Sequence, residues 1–141
     1  MGRSVGVLTD AIATVYAGVQ QDDPPAYYNS FTDTLQEALL EAFPSMMAPP
    51  LRRGWIDREG ILLLENAHAR VVVYEYLDIW SVSLGVEPHA ERPGLAESWC
   101  RKNAERFVSV VRTAITDVGG TPLERLGGFS DGTSVYREVT A

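Results

Sequence analysis

Cysteine, lysine and histidine are the scarce residues of this 141-residue chain, and each scarcity excludes something. The lone Cys100 permits no internal disulfide and no thiolate zinc cluster, and it suits a reducing, cytoplasmic setting. His68 and His89 are the only histidines, and neither has a second histidine or a cysteine at metal-ligand spacing, so no metal site is expected. Lys102 is the one lysine, and the 12 basic residues face 19 acids for a net charge of −7. The clustered lysines and arginines that track a phosphate backbone are missing, so direct nucleic-acid binding is not expected. No apolar run approaches the roughly 20 residues that a membrane-spanning helix needs. The opening MGRSVGVLTDAIATV is broken by Thr9 and Asp10 and makes a poor signal peptide. Gly6 stands where a myristoylation pattern requires Ser or Thr. Gly119-Gly120 and Gly127-Gly128 lack the strand-to-helix context of a phosphate loop, and no cofactor is expected.

What is present is an ordinary globular composition, 45% hydrophobic and 22% charged, which can bury one continuous core. A single domain over residues 1–141 follows. Its charge is uneven. Up to Ser45 there are six acids against Arg3, whereas from Gly94 onward six acids balance six bases.

Gly60 to Val86 (GILLLENAHARVVVYEYLDIWSVSLGV) is the longest apolar stretch, rich in β-branched and aromatic residues. Interruptions at Asn66-Ala67-His68 and Leu77-Asp78 divide it into strands over Ile61–Glu65, Arg70–Tyr76 and Ile79–Val86. With two-residue turns, Asn66 pairs with Ala69 and Tyr76 with Ile79, and side chains alternate between faces. One face then carries Leu62, Leu64, Val71, Val73, Glu75, Trp80, Val82 and Leu84 and should meet the helices. The other carries Ile61, Leu63, Val72, Tyr74, Tyr76, Ile79, Ser81 and Ser83, with a Glu65–Arg70 pair.

Three helices are expected around this meander. Val5, Leu8, Ile12, Val15, Tyr16 and Val19 recur at helical spacing over Val5–Gln20, and Asp22-Asp23-Pro24-Pro25 stops that helix. From about Ala26 to Phe43, the residues Tyr27, Phe31, Leu35, Leu39 and Phe43 form a four-residue stripe closed by Pro44. From about Leu95 to Val118, a broad stripe runs from Ala96 through Cys100, Phe107 and Val111 to Ile115, ended by Gly119-Gly120. Ser45 to Gly54 reads as a loop with Arg52-Arg53 exposed, and Trp55 to Arg58 as a short edge strand. The remainder is a hairpin turning at Asp131-Gly132. The fold class is α+β: an antiparallel β-meander over about residues 60–86 with a C-terminal β-hairpin, packed against three helices.

No catalytic constellation stands out, and no catalytic, cofactor-binding or metal residue is assigned. Glu75 falls on the helix-facing side beside Trp80 and is the candidate buried acid: a general acid or base, a buried ion-pair partner, or an edge residue that reaches water. Cys100 lies on an apolar helix face, where a thiol packs as a small hydrophobe. Tyr74 and Tyr76, apolar bodies with polar tips, are candidates for an interaction surface. The acids Asp22, Asp23, Asp33, Glu37 and Glu41 are candidates for contacts with a basic partner.

The segments LLENAHARVVVYEYLDIWSVSL, SWC and GGFSDGTSVYREV together resemble small uncharacterised bacteriophage and mobile-element proteins. Glu65-Asn66, Glu75-Tyr76 and Ser130-Asp131-Gly132 carry the likeness, while Leu77-Asp78 departs from the Cys-Gly of that pattern. The resemblance implies a phage-like setting and no particular activity. The expected function is protein–protein binding by a small acidic protein, inhibiting a host defence or nucleic-acid-processing complex. The alternatives are a phage structural or assembly subunit forming a ring or other closed oligomer, and a small enzyme using Glu75; the sequence leaves the oligomeric state open, a homodimer among the options.

Overall fold

A computed structural model describes residues 11–18, 30–49, 60–76, 79–128 and 134–139. The elements run β1 (Ala11–Gly18), α1 (Ser30–Ala42), β2 (Gly60–Glu65), β3 (Ala69–Tyr76), β4 (Ile79–Val86), α2 (Pro93–Asp117), β5 (Thr121–Gly128) and β6 (Ser134–Glu138). All six strands join one antiparallel sheet in the order β2-β3-β4-β1-β5-β6. The meander and the hairpin are present as the sequence predicts, with the turns expected at Leu77-Asp78 and Asp131-Gly132 outside the described residues, and β1 is the seam between them.

That seam corrects the expected fold. Part of the segment read as a first helix, Ala11–Gly18, is a strand, so the described residues contain two helices and not three. Ile12, Val15 and Tyr16 satisfy a helical stripe, but Val15 and Ala17 against Thr14 and Tyr16 satisfy a two-residue alternation equally well. Pairing decides. β4 and β5 each offer β1 a ladder, Val15 opposite Val82 on one side and Tyr16 opposite Leu123 on the other. A helix there would leave both strand edges unpaired. The remainder of the expected helix, the second helix's Ala26–Asn29, the short strand over Trp55–Arg58, Arg52-Arg53, and Asp22 and Asp23 lie outside the described residues.

Both helices pack on one face of the sheet. Phe31, Leu35 and Leu39 of α1, Phe43 just past its end, and Cys100, Phe107, Val111 and Ile115 of α2 share a buried cluster with Val15, Val71, Val73, Trp80, Val82 and Leu84. Phe31 meets Trp80 edge-on, with ring centroids 5.2 Å apart. α2 starts with Pro93 in its first turn and ends in a Schellman arrangement. Gly119, at φ 79°, donates its amide to Thr116 O, and the Gly120 amide reaches Ile115 O at 2.9 Å.

The β2–β3 and β3–β4 registers match the expected turns: Glu65 opposes Arg70, and Tyr76 opposes Ile79. Asn66 makes the first turn possible without glycine, because its Oδ1 accepts the amides of His68 and Ala69 at 2.8 Å each. The expected faces of β2, however, are partly exchanged. A bulge places Leu63 as an extra residue between Leu62, opposite Val72, and Leu64, opposite Val71. Leu63 and Leu64 therefore both join the helix-side core while Leu62 turns to the other face. Gln36 of α1 donates its Nε2 to the Leu63 carbonyl at 3.0 Å, which ties the bulge to the helix above it.

Candidate functional site

The polar residues gather in three places. The first is at the end of the meander. Arg70 lies opposite Gly85, and its guanidinium reaches the carboxylate of Glu87, two residues further along the chain. Arg70 Nε donates to Glu87 Oε2 at 2.7 Å, and Glu87 Oε1 accepts the His89 amide. The expected Glu65–Arg70 pairing exists in the backbone alone, because the guanidinium goes to Glu87. Glu87 was not legible as a partner, since nothing local connects it to a residue 17 positions earlier. The Glu87 amide also donates to the His68 carbonyl, and the His68 ring stacks on Trp99 of α2 with centroids 6.2 Å apart.

Both histidines consequently line one cleft of about 470 Å³, with Ala67, Glu87, Glu91, Arg92 and Leu95. Its buried carboxylate is already committed to Arg70 and a backbone amide, which makes Glu87 a clasp rather than a free base. Among the described residues no group of three or more His, Cys, Asp or Glu is arranged to hold a metal ion. A larger hollow of about 560 Å³ lies between β1 and α2, lined by Ile12, Ala13, Thr14, Ala104, Val108 and Arg112 among others. Its charged lining residues are Glu105 and Arg112, one of each sign, and Thr14, Ser109 and Thr113 add hydroxyl groups.

Cys100 is fully buried, and its thiol is pushed up from 9.0 to about 11 by desolvation, with Glu97 adding to the shift. It is a packing residue. Of the expected surface, Asp33, Glu37 and Glu41 are exposed on α1 at four-residue spacing and so form one acidic row. Tyr74 is half-buried, and a Cβ on Gly60 would come within 2.7 Å of its ring, so the ring lies across that glycine. Glu75 and Tyr76 pair in the backbone with Trp80 and Ile79; their side chains lie outside what the structure describes. The face of the sheet away from the helices is closed at its centre, where Val72 is 1% and Ser83 6% exposed, and Ser83 Oγ lies 3.0 Å from Thr14 Oγ1.

The third place is the β5–β6 hairpin, which the sequence did not mark as functional. Pro122 is buried on the helix side, so Glu124 and, through a bulge after Arg125, Leu126 lie on that side too. Val135 opposes Gly127 and shares it. Among the described residues the helices pack on β1 to β4 and on part of β5, with little or no cover over β6. Leu126 and Val135 are left 52% and 42% exposed, beside the Glu124–Arg137 ion pair at 2.9 Å. On the opposite face Tyr136 packs on Tyr16, with centroids 5.3 Å apart.

The two ends of the sheet differ. At the β2 edge, Met47 and Glu65 exchange both backbone hydrogen bonds, at 2.9 and 3.0 Å. Among the described residues no strand pairs with the outer edge of β6. The Val139 amide donates to Pro122 O, which makes Pro122–Val139 a hydrogen-bonded pair. By the alternation of an antiparallel ladder Glu124–Arg137 is the next such pair, and the N–H and C=O of Tyr136 and Glu138 point outward. A gatekeeping signal was present in the sequence, since Ser134–Glu138 ends in the charged residues Arg137 and Glu138. The missing helix cover was not.

No helix among the described residues is long and apolar enough to cross a membrane. No family model matches this chain, and no curated protein or solved structure shows significant similarity to it.

Proposed function

We propose that this protein acts by binding another protein chain rather than by catalysis, with the β5–β6 hairpin as its docking element. The observation that carries the reading is the uncovered Leu126–Val135 pair beside a strand edge whose outward backbone groups have no strand partner among the described residues. Edges of this kind accept an added strand: main-chain hydrogen bonds supply affinity, and neighbouring side chains supply selectivity. The acidic row Asp33, Glu37 and Glu41 favours a partner with a basic surface and would speed encounter at low salt. In the phage-like setting that the sequence resembles, the role we assign is inhibition of a host defence or nucleic-acid-processing complex.

The test is capture of partners by the tagged full-length chain in cells, after cross-linking, against a Leu126→Asp/Val135→Asp double variant. Both positions are exposed, so the variant should melt within about 0.5 kcal/mol of the parent. The reading expects the captured set to be lost. Undiminished capture by a folded variant would remove the hairpin from the function.

A further inference from the structure

From the hairpin's geometry we infer that the chain seated on the β6 edge is a second copy of this protein, related by a two-fold axis through the Tyr136–Tyr136 pair. The inference rests on the hairpin as docking element and goes beyond the reading above: a second copy joins at the β6 edge, and the acidic row of each copy is left to meet the basic partner. The hydrogen-bonding parity of β6 restricts how two such edges can meet. The outward-pointing residues Tyr136 and Glu138, with Ser134 next in the alternation, must face one another.

Centring on Tyr136 gives the only overlap that uses the whole strand. Glu138 then opposes Ser134 of the other copy, and Arg137 opposes Val135, so no like charges are directly opposed. Centring on Arg137 or on Glu138 would set two arginines or two glutamates against each other, which a sheet disfavours. In the Tyr136 register the aliphatic stem of each Arg137 covers the other copy's Val135, and its guanidinium keeps the bond to Glu124. The exposed Val135 of each copy is thereby covered.

Such a contact uses the same patch on each copy and closes after two, joining the sheets into one of twelve strands without leading to a fibre. A five-residue strand makes a small interface, so the dimer is concentration-dependent.

Sedimentation velocity of the full chain, from low micromolar to several hundred micromolar, reads this directly. The mass should rise from 15.5 kDa toward twice that value. Val135→Arg places a like charge opposite Arg137 and should weaken the dimer by roughly tenfold, since the two-fold repeats the contact. Val135→Glu places an attractive charge there and should tighten it by a similar factor. A dimer that treats the two variants alike is formed elsewhere, and the inference falls. A wild-type chain that stays monomeric while the hairpin-dependent capture persists also overturns it, and the protein-binding reading survives. Monomer with no hairpin-dependent capture ends both.

Discussion

Arg70 and Glu87 meet at 2.7 Å with only 16% and 10% of their side chains exposed, and this contact fastens the meander to the loop that leads into α2. Removing one partner strands the other away from water. Glu87→Ala should therefore cost roughly 3 kcal/mol, below the upper range for fully buried pairs because both retain some solvent. The double variant Arg70→Met/Glu87→Met should cost less than the two single changes added together. Urea titration of the four proteins measures the coupling. Additive costs would show that the pair does not hold the loop.

Cys100 gives a prediction about pH. Its folded value is raised from 9.0 to about 11, first by burial and then by Glu97, so the folded chain holds this proton more tightly than the unfolded chain does. The resulting stabilisation is full below pH 9 and is lost as pH rises through about 11. Wild-type melting temperature should fall more steeply over that interval than that of Cys100→Ala. At neutral pH the native thiol should resist alkylation and react only after denaturation. Parallel melting curves would refute the shift.

Two glycines should respond oppositely to alanine. A methyl group at Gly60 meets the Tyr74 ring at 2.7 Å, so Gly60→Ala should lose roughly 1–3 kcal/mol as the ring is displaced. Gly94, in the first turn of α2, has nothing within 4 Å of its Cβ position, so Gly94→Ala should be neutral or gain up to about 1 kcal/mol from helix propensity. Chemical denaturation separates the two. A destabilised Gly94→Ala would mean that the start of α2 is packed against something more than the described residues supply.

The acidic row has its own signature. Asp33→Asn, Glu37→Gln and Glu41→Gln together should cost no more than about 1 kcal/mol, most of it from the loss of the Asp33 charge in the first turn of α1. Partner binding by the parent should weaken with salt, and the triple variant should show a shallower dependence, because exposed charges are screened over about 8 Å at physiological ionic strength. Equal salt slopes would take electrostatics out of recognition.

The elements that could be read from the sequence are those whose signal is local. The stripe Phe31, Leu35, Leu39 and Phe43 admits one period, and the 25 residues of α2 admit no strand. The meander declared itself through continuous β-branched residues and two polar turns. β1 did not, because its seven residues of Ala, Ile, Thr, Val and Tyr before Gly18 fit a helix and a strand alike, and the choice is made by β4, some 70 residues away. The bulge at Leu63 was illegible for a related reason: its cause is partly Gln36, on another element. As for the candidate surface, the acidic row follows from helical spacing alone. The open hairpin edge follows from where the helices end, which depends on how they pack and not on any residue of β6.

Amide hydrogen exchange of β6, read residue by residue by NMR, tests the central claim that this edge is the docking site. In the dilute free chain the Arg137 amide, directed at Glu124, should be protected, and the outward amides of Tyr136 and Glu138 should exchange rapidly. On association, whether in the concentrated chain or in a captured complex, Tyr136 and Glu138 should become protected while Arg137 changes little. Outward amides that exchange as fast in the complex as in the free chain would contradict the account.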